Sequence, residues 1–88
     1  MFYVYILRSV QDGLLYVGST RDLRKRFGEH NSGLVRSTKS RKPFKLVYYE
    51  AYLSETEARL REKQLKYRGQ GRRQLLSRIK ESVSLAAK

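Results

Sequence analysis

Residues 3–30 read YVYILRSVQDGLLYVGSTRDLRKRFGEH and contain two apolar, aromatic-rich runs on either side of the dipeptide Asp12-Gly13. Asp and Gly tolerate the positive φ angles of tight hairpin turns. Two such runs around this dipeptide therefore predict a β-hairpin, with strand side chains alternating between its two faces.

The register of this hairpin determines which tyrosines share a face. If the turn has only two residues, Leu7 pairs with Gly18, and Tyr5 and Tyr16 project from the same face of the sheet. A slip of one residue would separate the two tyrosines. Their placement therefore depends on the turn.

A basic helical pattern follows the hairpin. Ser19-x-x-Asp22 resembles a capping box and predicts the start of this helix, and Gly33 suits the position just past its end. Arg26 and His30 lie one helical turn apart, at the border of the apolar stripe that docks on the sheet. The two tyrosines, the arginine and the histidine are therefore expected to converge on one small surface.

A third strand is predicted for residues 44–52, antiparallel to the first strand, which then becomes the central one. Simple alternation places Leu46 and Tyr48 on one face and Val47 and Tyr49 on the other. Because both faces are mostly apolar, the pattern predicts a strand that is covered on both sides.

Two helices are predicted after the third strand. Ser54 and Glu57 form a capping box at the start of the first, which is expected to end near Arg68. Leucine, isoleucine and valine recur at helical spacing over residues 72–85 and predict a C-terminal helix.

The 88 residues are expected to form one small domain over residues 1–88, with its core at about 2–68. The predicted fold class is α+β, a small three-stranded antiparallel sheet flanked by helices in the order β-β-α-β-α-α. The chain has no cysteine, which excludes disulfide bonds and thiolate metal sites. Its apolar opening is too short for a signal peptide or a membrane span, so a cytoplasmic protein without membrane contact is expected.

The charge of the chain predicts a polyanionic partner, with nucleic acid as the first candidate. The net charge is +12, from 20 Lys and Arg against 8 Asp and Glu. The simpler alternative is a soluble basic protein, but the charge is clustered. Expected phosphate contacts lie on the first helix, in the hydroxyl-rich loop over residues 32–43 and on the second helix: Arg24, Lys25, Arg36, Lys39, Arg41, Lys42 and Lys66.

Glu62 is a carboxylate on the helix face that Ala58 and Leu65 turn inward. An ordinary helix ion pair with Lys66 or Arg59 is one explanation. A carboxylate beside an apolar stripe is costly without a partner, so a bound divalent cation is the alternative.

These residues resemble the motifs of the GIY-YIG nuclease family. The first half of the family motif corresponds to Tyr3-Val4-Tyr5, with Tyr in place of Gly, and the second half to Tyr16-Val17-Gly18, with Val in place of Ile. The family arginine, eight residues after the motif glycine, corresponds to Arg26. A histidine that many members carry corresponds to His30, and the family glutamate corresponds to Glu62.

The resemblance covers roughly residues 2–68 and is greatest to the small stand-alone bacterial members. It implies a metal-dependent endonuclease that hydrolyses phosphodiester bonds in DNA. Because no base-reading element is evident, little sequence specificity is expected. The chain departs from several larger relatives in lacking an asparagine after the glutamate helix. A monomer or a weak homodimer is expected.

The resemblance also implies the roles of the site residues. Glu62 would hold Mg²⁺ or Mn²⁺, Arg26 would bind the phosphate, and His30 would relay a proton. Tyr5 or Tyr16 would be the general base, with Tyr5 preferred, provided that Arg26 and the metal lower its pKa from about 10. The alternative from a different class is a non-catalytic nucleic-acid-binding module that keeps the fold and the basic surface.

Overall fold

The computed structural model describes residues 1–87 and contains one three-stranded antiparallel sheet. Its strands are β1 (Phe2–Ser9), β2 (Leu15–Thr20) and β3 (Phe44–Tyr52), arranged in the order β2-β1-β3. Both neighbours of β1 are antiparallel to it. The predicted α+β sheet with a central first strand is therefore confirmed.

Four helices surround the sheet. They are α1 (Leu23–Ser32), α2 (Glu55–Lys66), α3 (Gln70–Arg78) and α4 (Lys80–Leu85). The prediction of a single C-terminal helix over residues 72–85 is wrong, because the backbone leaves helical geometry at Ile79, with φ −111° and ψ 25°. The apolar periodicity continues across this break, which is why the sequence pattern conceals it.

The hairpin has a longer loop than the predicted two-residue turn. Tyr5 pairs with Gly18 and Leu7 pairs with Tyr16, which is a shift of two residues from the expected register. The amide groups of Gln11 and Asp12 donate to the Ser9 hydroxyl, which stabilises the wider loop. Since a shift of two residues preserves the faces, Tyr5 and Tyr16 still share a face as predicted.

A bulge in β3 overturns the predicted face assignment of that strand. Ile6 pairs with Tyr48, but the next residue of β1, Leu7, pairs with Leu46, so the register shifts between them. The bulge puts Leu46 and Tyr49 on the same face, although simple alternation separates them. The prediction that β3 is covered on both faces is also wrong. β3 is an edge strand, and both Leu46 and Tyr49 are exposed.

The caps position the first two helices against the sheet. The N-cap of α1 is Asp22, whose side chain accepts the amide of Lys25, and its C-cap is Gly33 in the left-handed region at φ 80°. Ser19 therefore does not cap α1 as the predicted capping box implied. Ser54 caps α2 by accepting the amide of Glu57, as predicted.

The core has two layers, one on each side of the sheet. The layer on the α2 side contains Val4, Ile6, Val17, Ala58, Leu65 and Leu75. The layer on the α1 side contains Tyr5, Leu7 and Phe44, against which Tyr16, Leu23 and Phe27 pack. Within residues 1–87, no helix is long and apolar enough to cross a membrane.

Candidate functional site

A buried hydrogen-bonded chain lies between β1 and α1. The Tyr5 hydroxyl is 2.8 Å from Nε2 of His30, and Nδ1 of His30 is 2.8 Å from Oγ1 of Thr38. All three side chains are almost completely buried. The structure thus brings a strand tyrosine and the helix histidine together, with a threonine from the following loop at the other end of the chain.

The hydroxyl of Thr38 determines the tautomer of His30. Its second contact is the carbonyl oxygen of Val35 at 3.4 Å, to which only the hydroxyl can donate. We therefore assign the proton to Nδ1 of His30, which donates to Thr38, while Nε2 accepts from the Tyr5 hydroxyl. Burial, assisted by the nearby charge of Arg26, lowers the pKa of His30 from 6.5, so the ring is neutral at pH 7.

The protein's own residues do not give Tyr5 the lowered pKa that its preferred role as base requires. Burial of the ring, together with the proximity of Tyr16, raises the pKa of Tyr5 to about 12. Arg26 acts in the expected direction and lowers it, but burial is the larger effect. With 1% of its surface exposed, Tyr5 is also poorly placed to contact water.

Tyr16 lies on the same face and is only partly buried. The centroid of its ring is 5.0 Å from that of His30 and 6.4 Å from that of Tyr5. The three rings therefore form one cluster, in which Tyr16 is the more accessible tyrosine. A tyrosine in this position can reach both solvent and the buried chain.

Arg26 borders this cluster from α1. Its Nη1 lies 3.1 Å from Oε1 of Glu29, and its side chain is 39% exposed. Burial lowers the pKa of Arg26, but the hydrogen bond with Glu29 and the proximity of Tyr5 outweigh that effect and raise it. The guanidinium is therefore charged and partly accessible, with Glu29 holding one side of its donor fork.

Gly18 leaves the space that the two tyrosines occupy. A Cβ atom at this position would lie 2.5 Å from the Tyr5 hydroxyl oxygen and 3.1 Å from Cε2 of Tyr16. Real Cβ atoms do not approach other heavy atoms so closely. Any larger residue would have to displace Tyr5 from His30.

Glu62 approaches the site from the other side of the sheet. Its helix, α2, packs on the face of Val4 and Val17, opposite to the face of Tyr5 and Tyr16. The carboxylate Oε1 accepts a 2.6 Å hydrogen bond from Ser19, which adjoins Gly18 on the edge strand β2. Its charge is close enough to contribute to the raised pKa of Tyr5.

The ordinary explanation for Glu62 is only partly met. Its Oε2 lies 4.0 Å from Nζ of Lys66, at the limit of an ion pair, while Arg59 pairs with Glu55 instead. The described residues contain no cluster of three or more His, Asp or Glu side chains that could hold a metal ion. The four side chains that were expected to converge thus lie on one face of the sheet, whereas Glu62 lies on the α2 side, at the edge strand β2.

The predicted basic residues differ in accessibility. Arg24 and Lys25 are exposed on α1, Arg36, Lys39 and Lys42 are exposed in the loop, and Lys66 is exposed on α2. Arg41 differs from them. It forms a 2.8 Å ion pair with Asp12, and its guanidinium lies over the ring of Phe44. This ion pair, with the Leu14 amide, lowers the pKa of Asp12 to about 2.

Three polar residues of the site were missed by the sequence analysis. Thr38 orients His30, Glu29 holds Arg26, and Ser19 holds Glu62. The spacing of Arg26 and Glu29, three residues apart on a helix, was the one available signal. The other two contacts join residues 8 and 43 positions apart, and no local pattern indicates them.

These features define a GIY-YIG type of catalytic domain. They are a sheet with helices on both faces, a glycine beneath two tyrosines, and an arginine on the first helix. The family model described as the GIY-YIG catalytic domain matches residues 1–74. The chain belongs to the GIY-YIG family, whose domain is an endonuclease domain that acts on nucleic acid.

Its relatives include small single-domain bacterial proteins of the UPF0213 group. A UPF0213 protein of Staphylococcus saprophyticus is 42% identical over 65 residues, which cover 73% of this chain and 78% of the relative. One from Clostridium perfringens is 45% identical over 67 residues, covering 75% and 71%. The solution NMR structure of a UPF0213 protein from Bacillus halodurans matches with a TM-score of 0.55 and 34% identity, over 96% of this chain and 94% of that one.

Proposed function

We propose that this protein is a metal-dependent endonuclease that hydrolyses phosphodiester bonds in DNA with little sequence specificity. The observation that carries the proposal is the cluster of Tyr5, Tyr16 and His30 beside a charged, partly exposed Arg26. A structural cluster needs no accessible arginine at its rim, whereas phosphate binding does.

Arg26 is the phosphate-binding residue in this proposal. Its planar fork of donors suits the charge that spreads over the phosphate oxygens in the transition state. To bind the phosphate, the guanidinium must divide its donors between Glu29 and the phosphate, or give up its contact with Glu29. Glu29 therefore holds the guanidinium in place before substrate binds.

Tyr16 is the general base in preference to Tyr5. The raised pKa and the burial of Tyr5 oppose its ionisation, while Tyr16 is partly exposed on the same face. Tyr5 and His30 then position Tyr16 through ring packing, and a proton relayed to His30 passes through the Tyr5 hydroxyl, which occupies its acceptor nitrogen Nε2.

Glu62 is the residue that would hold the divalent cation, Mg²⁺ or Mn²⁺. Its Oε1 is oriented by Ser19, and Oε2 has only the distant contact with Lys66. A single carboxylate fits magnesium, which is commonly held by one or two carboxylates with waters and substrate phosphates as the other ligands. Such a cation, when bound, supplies Lewis-acid stabilisation of the leaving oxygen.

A non-catalytic nucleic-acid-binding module is the second candidate. It is favoured by the position of α2 on the opposite face, which separates Glu62 from the tyrosines by the edge strand. The basic residues would serve such a module equally well.

A cleavage assay separates the two functions. Labelled single-stranded, duplex and branched DNA, with matched RNA, are incubated with the protein in magnesium, in manganese and in EDTA. Metal-dependent internal cleavage of DNA is expected. Binding without cleavage of any substrate, by protein that is folded by circular dichroism, would favour the binding module.

A further inference from the structure

A second feature of the α1 face is an open groove beside the site. It has a volume of about 490 Å³ and lies between the start of α1 and the β1–β3 half of the sheet. This volume falls within the range of ligand sites, roughly 300–1,000 Å³. Its lining combines aromatic, aliphatic and basic side chains: Tyr3, Arg21, Asp22, Leu23, Arg24, Phe27, Leu46 and Tyr49.

The two tyrosines of the groove form an aromatic surface. Their ring centroids are 6.0 Å apart at an interplanar angle of 61°, an edge-to-face contact. Tyr49 is 52% exposed, so its ring is accessible to a ligand. The bulge in β3 puts Leu46 on the same face as Tyr49, so both side chains line the groove.

The groove adjoins the proposed catalytic cluster. Tyr3 and Tyr5 are two residues apart on β1, about 7 Å along the strand, and their side chains share a face. Tyr49 is the direct cross-strand partner of Tyr5. A nucleotide next to a phosphate held at Arg26 is therefore within reach of the groove.

The charge at the groove matches a nucleotide. Arg24 is exposed and has no ion-pair partner within residues 1–87, so it is available for phosphate. The one acidic lining residue, Asp22, is engaged as the N-cap of α1, where its Oδ1 accepts the Lys25 amide. Exposed aromatic rings beside free cations are the arrangement by which proteins bind single strands, through stacking and phosphate contact.

We propose that this groove binds an unpaired nucleobase of the substrate, stacked on Tyr49 and Tyr3, next to the phosphate that Arg26 holds. A base within a duplex has both faces covered by its neighbours, so only a single strand, a frayed end or an extruded base can enter. The inference rests on the proposed function, because it assigns a substrate class to the same site.

The test measures binding without cleavage. Fluorescence anisotropy in EDTA gives the affinity of labelled single-stranded oligothymidylate and of a labelled blunt duplex. Tyr49→Thr removes the ring but keeps a residue that strands favour. It should weaken single-strand binding by roughly 5- to 150-fold, the range for one stacked base, and leave duplex binding unchanged.

Two control variants make the result specific. Tyr49→Phe keeps the stacking surface and should bind as the wild type does. Tyr67→Thr removes another exposed tyrosine, 63% accessible against 52% for Tyr49, at the end of α2 outside the groove, and should change neither affinity. Unchanged single-strand binding by Tyr49→Thr, or an equal loss on both substrates, would overturn the groove assignment.

A second measurement uses the wild-type protein and so does not depend on the folding of a variant. Irradiation of its complex with an oligonucleotide that carries one 5-iodouracil should attach the base to Tyr3 or Tyr49, as read by peptide mass spectrometry. Adducts confined to other residues would contradict the proposal. If Tyr49→Thr selectively loses single-strand binding but the wild type cleaves no substrate, only the proposed nuclease activity is disproved. If the wild type cleaves DNA and Tyr49→Thr binds single strands as the wild type does, only the groove assignment is disproved.

Discussion

The hydroxyl group of Tyr5 donates to Nε2 of His30 across 2.8 Å, within a pocket that excludes solvent from both side chains. This contact joins the central strand to α1. Donation from Tyr5 requires the neutral form of His30, because a protonated ring has no acceptor nitrogen and could only donate to the Tyr5 oxygen. The protonation of His30 is therefore linked to the stability of the site.

The first prediction is a lowered pKa for His30, read by NMR. The chain contains one histidine, so its imidazole resonances are unambiguous. Burial disfavours the charged ring, and titration should occur below 6.5. The unfolded chain takes up this proton near pH 6.5 and the folded chain only at lower pH. Stability should therefore fall as the pH decreases from about 6.5 to below the folded pKa.

The control for this prediction is His30→Gln. The pH dependence of its urea unfolding midpoint should lack the contribution of the histidine. A His30 ring that titrates at or above 6.5 in the folded protein would contradict the burial that lowers its pKa. Measurements above pH 5 keep most carboxylates ionised, so they report mainly on His30.

The second prediction separates the two tyrosines. Tyr16→Phe should reduce cleavage by about 10²–10⁴, the usual contribution of a general base, and leave DNA binding unchanged. The phenyl ring keeps the packing against Tyr5 and His30, so the fold should persist. Tyr67→Phe, which removes an exposed hydroxyl at the end of α2, should retain full activity. Wild-type cleavage rates for folded Tyr16→Phe would remove Tyr16 as the base.

The third prediction concerns the glycine beneath the tyrosines. Gly18→Ala should lower the free energy of unfolding by about 1–3 kcal/mol and impair cleavage, because its Cβ would displace the Tyr5 hydroxyl. Gly28→Ala is the matched control in α1. A Cβ there would have no heavy atom within 4 Å, so it should stabilise the protein by up to about 1 kcal/mol. Urea unfolding of both variants checks the pair, and equal effects would contradict the close approach at Gly18.

The topology and most element bounds followed from local sequence patterns. The bounds of β3 agree with those predicted, and Ser54 caps α2 as the capping box indicated. These signals are local, since alternation and capping depend on residues close together in the chain. The face shared by Tyr5 and Tyr16 survived a wrong loop length, because the error was two residues and strands alternate with a period of two.

The remaining features depend on contacts that local patterns do not carry. The bulge between Leu46 and Tyr48 follows from pairing with β1, and it reverses the faces of half the strand. Tyr5 is buried by the sheet and α1 together, and this burial raises its pKa. Local sequence patterns do not predict it. Similarly, the contact of Ser19 with Glu62 joins residues 43 positions apart.

The fourth prediction tests the basic loop. Because Arg41 forms an ion pair with Asp12, the basic residues of the loop that are accessible to DNA are Arg36, Lys39 and Lys42. Changing these three to Gln should flatten the dependence of DNA affinity on salt, by about 0.9 in logarithmic slope for each phosphate that the loop no longer neutralises. Fluorescence anisotropy across a salt series gives the slope.

The control for the loop is a second triple variant with the same net charge. It changes Arg68, Arg73 and Lys80 to Gln, which are exposed residues just after α2, on α3 and on α4. Its salt slope should stay closer to that of the wild type. Equal slopes for the two triple variants would show that net charge, rather than the loop, governs binding.

The last prediction separates catalysis from binding at Glu62. Glu62→Gln keeps the shape of the side chain and can still accept the hydrogen bond from Ser19, but it removes the charge that a cation needs. If Glu62 holds the metal, cleavage in saturating magnesium should collapse, while DNA binding in EDTA persists or tightens because a negative charge near phosphate is gone. Glu57→Gln on the exposed face of α2 is the matched control and should cleave normally. Arg26→Ala should instead weaken both cleavage, by about 10²–10³ in rate for a missing transition-state donor, and binding. Equal cleavage by the wild type and a folded Glu62→Gln protein would exclude Glu62 from the mechanism and leave it as the partner of Ser19 at the edge of the sheet.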